Sequence, residues 1–360
     1  MRDLTFLANP ASPHVREWLR ILPDRFEGGV RFVHIGGDGP VAPPGDRTAQ
    51  APLPKAARRL PKALRYALLG LWLRALERSN DPVHAHNASG YGLSAFLSGR
   101  PYIVTTYGSE ILQAHNRSLF YKAMIRAVLR GADRITATSP QMARAIAEMD
   151  AELSTKIETF SLGVSAAFLL PVARRLDDAP RTWFVNRRIT PHYRTLDVLA
   201  AFAAFKDLGY EGRLVLLKGD ADPAYLDSVR READGRPDVE IIEDFLSPDR
   251  MREALDRVDF CLSTPISDQL SSAILEGMAR ECVSVLSPLE AYTALDLPAI
   301  YLSASDPFRD ALTTAFRKTA EMTPEALSEA RRKARNFVEA RFPEDAIRKR
   351  YDGLLLDLGA

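Results

Sequence analysis

An α/β protein of two doubly wound domains is predicted by three features of this sequence. Short β-branched and aromatic runs alternate with longer helical stretches, the rhythm of βαβ units and hence of a mainly parallel sheet. The rhythm breaks at a Pro- and charge-containing stretch, Pro171–Pro180, and then restarts. The 360 residues, 46% of them hydrophobic, suffice for about two cores at roughly 150 residues each.

Expected strands in the first half are Leu4–Ala8, Arg31–Ile35, Val83–His86, Tyr102–Tyr107, Arg134–Thr138 and Lys156–Phe160. In the second half they are Thr182–Val185, Arg213–Lys218, Val239–Ile242, Val258–Ser263, Val283–Leu286 and Ala299–Leu302. The break near residue 175 divides the chain into a domain of residues 1–172 and a domain of residues 173–340. The closing helices, Pro324–Glu339 and Pro343–Leu358, put Arg/Glu pairs on one face and Leu/Tyr on the other, and residues 341–360 are expected to pack back on the first domain. Ligands of such sheets sit outside the carboxyl ends of strands, so a facing pair of domains would offer a cleft there, and the loops after strands are the places to search.

Lys plus Arg number 48 against 47 Asp plus Glu, so a net charge of +1 gives no global case for a nucleic-acid partner, and any anion site is local. Cys261 and Cys282 lie in apolar, strand-like contexts without metal-ligand spacing, which reads as buried thiols in a reducing, cytoplasmic compartment. The apolar stretch at the N-terminus is too short for a signal peptide, and no run approaches the ~20 residues of a membrane span. From Lys55 to Arg78 there are seven basic residues against one acid, Glu77, around the apolar run Ala67–Leu73. That segment reads either as a peripheral contact with the inner face of an anionic membrane or as an ordinary crossover helix with solvated charges.

The most informative stretch is Pro265–Met278, in which Asp268 and Glu276 flank the Ser271-Ser272 start of an apolar helix. Unpaired amides at a helix start suit a diphosphate, and carboxylates on either side can accept hydrogen bonds from sugar hydroxyls. An N-capped amphipathic helix with two solvated acids accounts for the same pattern. After the strand Thr182–Val185 comes a basic loop holding Arg187, Arg188, His192 and Arg194. Guanidinium groups bind phosphate oxygens and keep their charge, so Arg187 is the first candidate for a departing diphosphate, with Arg194, or secondarily His192, as a second contact. Phe245, three residues past Val239–Ile242, either stacks near a nucleobase or fills core.

These segments resemble glycosyltransferase family 4, retaining enzymes with two facing Rossmann-like domains, the GT-B fold. The family's Glu, seven residues, Glu motif corresponds to Asp268 and Glu276, followed here by Gly277-Met278-Ala279. Its Arg loop corresponds to Arg187, Pro191, Tyr193 and Ala201-Phe202. Ser12-Pro13-His14 with Trp18 resembles the family's opening loop, and Val83–His86 and Thr105–Glu110 resemble its acceptor-side loops. The resemblance implies that Glu276 binds the donor's ribose, that Asp268 meets the donor sugar and that Arg187 holds the diphosphate. His14, His86, Tyr107, Ser109 and Glu110 are then the acceptor-side candidates. Two glycines common in the family's acid loop are replaced by Gln269 and Ser271, the first acid is a shorter Asp, and Tyr107 stands where a His is frequent.

His84 and His86 resemble a metal pair but lack further ligands nearby, which favours strand-end histidines facing the cleft. Asp220 and Asp222 read as a capping turn, and Gly36–Gly39 as a loop rather than a dinucleotide fingerprint. The expected activity is metal-independent, retaining transfer of a sugar from a nucleotide-diphosphate donor to a hydroxyl of a glycan or lipid-linked acceptor, with no cofactor. The alternatives are a non-catalytic nucleotide-sugar-binding or scaffold protein of polysaccharide assembly, and an epimerase or phosphorylase of the same architecture.

Overall fold

In a computed structural model of the chain, the β-branched runs pair side by side into two sheets in which every strand pair is parallel. The structure describes residues 4–10, 12–23, 26, 30–36, 48–75, 81–172 and 180–358. Gly37–Gly39, Glu77, Arg78 and most of the expected linker, Ala173–Ala179, lie outside the described residues.

The first sheet contains β1 (Leu4–Leu7), β2 (Val30–His34), β3 (Thr48–Pro52), β4 (Val83–His86), β5 (Tyr102–Thr106), β6 (Arg134–Ala137) and β7 (Ile157–Thr159), in the order β3-β2-β1-β4-β5-β6-β7. The second contains β8 (Thr182–Val185), β9 (Arg213–Leu217), β10 (Val239–Ile242), β11 (Phe260–Ser263), β12 (Val283–Leu286) and β13 (Ala299–Tyr301), in the order β10-β9-β8-β11-β12-β13. In each sheet the winding reverses once, between β1 and β4 and between β8 and β11. A crevice opens at such a reversal because the two flanking loops leave the sheet in opposite directions. β3 was not expected: Thr-Ala-Gln-Ala-Pro has little β-branched content, and it is held as an edge strand through its pairing with β2.

Helices cover both faces of each sheet. In the first unit α2 (Lys62–Ala75), α3 (Gly90–Ser98), α5 (Leu119–Gly131) and α6 (Pro140–Met149) bury one face through Leu69, Tyr91, Ile125 and Met142. The other face is covered by α1 (Pro13–Arg20) and by the final helix, α14 (Glu344–Leu356), through Trp18, Ile347, Tyr351 and Leu355. Without α14, Phe6, Phe32 and Ile103 would lose much of their cover, which is the physical reason the chain's last helix belongs to its first unit. A short α4 (Ser109–Leu112) follows β5. In the second unit α7 (Thr195–Asp207), α8 (Pro223–Ala233) and α12 (Phe308–Ala320) pack around Trp183 and Phe202, while α9 (Pro248–Leu255), α10 (Ser272–Ala279) and α13 (Pro324–Arg341) pack around Phe184, Met278 and Val338. The brief α11 (Glu290–Thr293) follows β12.

The compact units are Met1–Leu162 with Glu344–Ala360, and Gly163–Pro343, so the chain enters its second unit ten residues before the expected boundary at 172. Buried Arg280 accounts for the difference. Its guanidinium holds Asp256 through two bonds of 2.7 Å and donates to the carbonyls of Phe168, Leu170 and Pro171. Val164 adds a bridge to Pro343, and Phe168 is buried in the second core. A buried cation stripped from its anion is costly, and so is the reverse. Arg280→Met is therefore expected to lower unfolding stability by about 3 kcal/mol in urea titrations; an unchanged midpoint would show that the clamp contributes nothing.

Candidate functional site

At the reversal in the second sheet, Arg187 leaves the end of β8 and Asp268 lies in the loop after β11. The Arg187 loop is anchored by Ile189, whose N–H donates to the Lys218 carbonyl at the end of β9 and whose carbonyl accepts from Asp222. A 3-10 turn at Pro191–Tyr193 carries the chain into α7. The two loops are joined directly, because the Ile266 N–H donates to the His192 carbonyl at 3.0 Å. Asn186 adds a second tie from β8 to the start of α10, donating to the Ala273 carbonyl at 2.8 Å.

Arg187 is buried, and its Nη2 donates to Asp268 Oδ2 and to the Tyr193 hydroxyl, each at 2.7 Å. The guanidinium carbon also sits 4.5 Å from the centre of the Tyr193 ring. Burial works against the charge, but Asp268, followed by Tyr193 and Tyr292, outweighs it, so Arg187 holds its proton more tightly than an ordinary arginine. Its Nη1 is buried with no hydrogen-bond partner. Two N–H donors of a permanent cation are thus left unmatched at the point where such sheets bind ligands.

Asp268 is fully engaged: Oδ2 also accepts from the Tyr292 hydroxyl at 2.8 Å, and Oδ1 accepts from the Gln269 N–H at 3.0 Å. Burial, then the Asp268 charge, pushes the Tyr292 hydroxyl far up, so it remains a donor. Tyr292 was not among the expected residues; it lies six positions past the end of β12, in the short α11.

Ser271 is the N-cap of α10, its hydroxyl accepting from the Ala273 N–H at 3.2 Å, so that hydroxyl completes the helix start, and Ser272 follows as an exposed first residue. Glu276 lies one turn further along, half-buried. Gly277 is required here: a Cβ would come within 2.9 Å of Cys261 Sγ on β11, so α10 approaches the sheet closely. Arg194 closes the 3-10 turn. It adopts a left-handed backbone, φ 54°, and its guanidinium lies 4.4 Å over the Phe308 ring at the start of α12. His192 stands edge-on to Tyr193. Phe245 is 82% exposed, which removes the core-filling reading. Asp222 caps α8 through the Tyr225 N–H, as its turn pattern suggested, and Asp220 is exposed near Arg188.

The reversal in the first sheet gathers a different chemistry. His86, the last residue of β4, meets the Tyr107 hydroxyl with Nδ1 at 2.7 Å, and His14 stacks on Tyr107 with centroids 4.7 Å apart. Glu110 supports this loop from behind, its two oxygens accepting the N–H groups of Tyr107 and Gly108 at 2.7 and 3.1 Å. Ser109 opens α4, and its side chain lies outside the described residues. His84 is buried rather than facing outward: Nε2 meets Thr105 Oγ1 and Nδ1 meets the Tyr351 hydroxyl, both at 2.7 Å, and Thr105 continues to Thr136. Trp18 closes this cluster edge-on to His84 and stacked on Phe160. Among the described residues no group of three or more His, Cys, Asp or Glu is placed to hold a metal ion. His86 Nε2 is buried without a partner.

A family model described as a glycosyl transferase 4-like domain matches residues 11–163. The first unit carries a glycosyl transferase 4-like domain. No curated protein matches the chain in sequence. Among solved structures, Anabaena Alr3699/HepE in complex with UDP and glucose is similar over 99% of each chain, with a TM-score of 0.74 and 12% identity. Sucrose-phosphate synthase from Thermosynechococcus elongatus is similar over 99% of each chain, with a TM-score of 0.74 and 16% identity. A UDP-forming trehalose-phosphate synthase from Burkholderia xenovorans covers 100% of each chain, with a TM-score of 0.76 and 12% identity. The fold beyond the glycosyl transferase 4-like domain is therefore that of the GT-B glycosyltransferases, as the sequence resemblance implied.

The buried histidines of the glycosyl transferase 4-like domain give a pH test. Burial, then His14, lowers His86 from 6.5 to about 3, and burial, then His86, lowers His84 well below 6.5. Unfolded, both rings take up a proton near pH 6.5, whereas the folded chain holds them neutral. Stability is therefore complete above that pH and falls as acid is added, by up to about 1.4 kcal/mol per pH unit for each ring. Urea midpoints are expected to drop between pH 7 and 5.5; equal midpoints would mean that neither ring is held neutral.

Proposed function

We propose that the chain transfers a sugar from a nucleotide-diphosphate donor, held at the β8/β11 reversal, to a hydroxyl of a glycan or lipid-linked acceptor held by the first unit. The observation that carries this reading is the unpartnered, buried Nη1 of Arg187, a preorganised pair of charged donors waiting for an anionic oxygen. The UDP seen with the Anabaena neighbour supports a nucleoside diphosphate as that anion.

In this reading Asp268 and Tyr193 keep the guanidinium aimed, Tyr292 keeps Asp268 in place, and Arg187 with the N-terminal end of α10 meets charge as it gathers on the departing diphosphate. Glu276 takes ribose hydroxyls, and the exposed Phe245 offers a face to the nucleobase. Because fixed positive charge serves the leaving group, the reaction proceeds without a metal ion. Retention follows if a β-phosphate oxygen guides the acceptor proton on the face from which the diphosphate leaves, since no protein nucleophile is needed. On the acceptor side, Tyr107 and His86 offer a neutral hydroxyl and imidazole. The buried thiols of Cys261 and Cys282 support a reducing, cytoplasmic setting.

The test has two stages. UDP, GDP and ADP are first compared by the melting temperature each confers, which should rise for one of them. Free nucleoside diphosphate is then measured with and without a pool of glycan acceptors, and release should depend on acceptor. Binding without release would favour a nucleotide-sugar-binding scaffold, and a changed sugar still attached to its diphosphate would favour an epimerase. Each charge-assisted hydrogen bond contributes about 1.5–3 kcal/mol, so Arg187→Ala is expected to lower turnover by about ten- to a hundredfold. Full turnover in that variant removes Arg187 from the mechanism.

A further inference from the structure

A helix on the edge of a doubly wound unit normally turns one apolar face to the sheet and a polar face to water. Helix α2 has two apolar faces. Leu69, Gly70 and Leu73 are buried against the core and α3, and the approach to α3 is so close that a Cβ on Gly70 would come within 2.5 Å of the Ser94 carbonyl oxygen. That contact fixes the rotation of the helix about its axis. At 3.6 residues per turn, Leu64, Leu68 and Leu71 then fall within an arc of about 60° on the opposite side. They are 52%, 38% and 50% exposed, and Leu60, just before the helix, is 38% exposed. A row of leucines in water is not explained by the fold they belong to.

The charges around this row have one sign. From Lys55 to Ala75 the chain carries Lys55, Arg58, Arg59, Lys62, Arg65 and Arg74 and no acidic residue, although the chain as a whole is nearly neutral at +1. Lys55 and Arg59, in the 3-10 turn before the helix, are exposed, as are Lys62 in the first turn of α2 and Arg74 in its last. On the other side of α3 from α2, helix α5 opens with Leu119 and Phe120, 82% and 80% exposed, between Arg117 and Lys122. No helix among the described residues is long and apolar enough to cross a membrane.

We propose that this leucine row, with its basic flanks, lies on the surface of a bilayer containing anionic phospholipids, the leucines entering the acyl boundary and the Lys and Arg side chains meeting lipid phosphates. The charge pattern selects this occupant. A protein partner or a second copy would satisfy the leucines but gives no reason for four exposed cations in a segment without one acid, whereas an anionic lipid surface is complementary to both features. The inference does not rest on the donor site, and its test uses no nucleotide.

The experiment is co-sedimentation of the full chain with vesicles of phosphatidylglycerol and phosphatidylcholine, and with vesicles of phosphatidylcholine alone, at low and at high salt. Binding to the anionic vesicles, weakened steeply by salt and weak on the neutral ones, is the expected result. Leu64→Ser with Leu71→Ser should cut affinity by about tenfold or more, and Arg59→Glu with Arg74→Glu should abolish it, both with unchanged melting temperature because all four side chains are exposed. Absence of binding at low salt, equal binding to both vesicle types, or retention of affinity in the leucine variant overturns the proposal. So does a concentration-dependent dimer that the leucine substitutions dissolve, which would identify the row as an interface between copies.

Discussion

A guanidinium taken out of water costs several kcal/mol unless its charge and its N–H groups are met, and in the second unit Arg187 is met on one side only. Asp268 and Tyr193 balance the charge and satisfy Nη2, while Nη1 is buried without a partner. The rest of the site is arranged to keep that cation where it is. Tyr292 and the Gln269 amide hold Asp268, the His192 carbonyl and Ile266 amide join the two loops, and Asn186 ties the end of β8 to the beginning of α10. Removing any of these loosens a charge that burial already disfavours. Asp268 is itself held by three of these bonds, to Arg187, Tyr292 and the Gln269 amide.

Much of the scaffold was legible because parallel strands buried on both faces are nearly continuous apolar runs, and those runs stand out between charged helices. Thr182–Val185 and Val283–Leu286 coincide with β8 and β12, buried throughout, and the more polar Val83–His86 and the edge run Val239–Ile242 coincide with β4 and β10. β3 did not stand out because its residues carry little of that signature and its strand state depends on the neighbour it pairs with. The entry into the second unit was placed ten residues late for a related reason. Pro171–Pro180 looks like a linker by composition, yet it is Arg280, more than a hundred positions away, that fastens Phe168, Leu170 and Pro171 to the second core. No local pattern announces a contact of that range.

The site shows the same division. Arg187 and Asp268 were named from their loops, and the structure brings them together at 2.7 Å, but their third partner, Tyr292, comes from a different strand end. Arg194, in the same loop, combines a left-handed backbone with a guanidinium stacked over Phe308, neither of which a local pattern announces. His84 and His86 alternate along one strand, so both point to the same face. That face is covered by α1 and α14, which bring Trp18 against both rings and Tyr351 against His84, so His84 joins the core while His86, at the strand end, meets Tyr107.

The two sheet reversals differ in charge, and this difference argues for the proposed division of labour. At β8/β11 the dominant group is a cation that cannot lose its proton, with donor capacity in reserve. At β1/β4 the groups are kept neutral: His86 by burial and His14, and the Tyr107 hydroxyl by burial and Glu110, whose carboxylate is itself occupied by backbone amides. A diphosphate brought to the second set would find no cation among these groups to balance it, and a sugar hydroxyl brought to the first would gain little from a buried guanidinium. Matching each ligand to the site that offsets its desolvation supports the proposed placement of the charged donor in the C-terminal unit and the uncharged hydroxyl in the N-terminal one. The assignment rests on the chemistry of the side chains at each reversal and needs no reference to the sugar being moved.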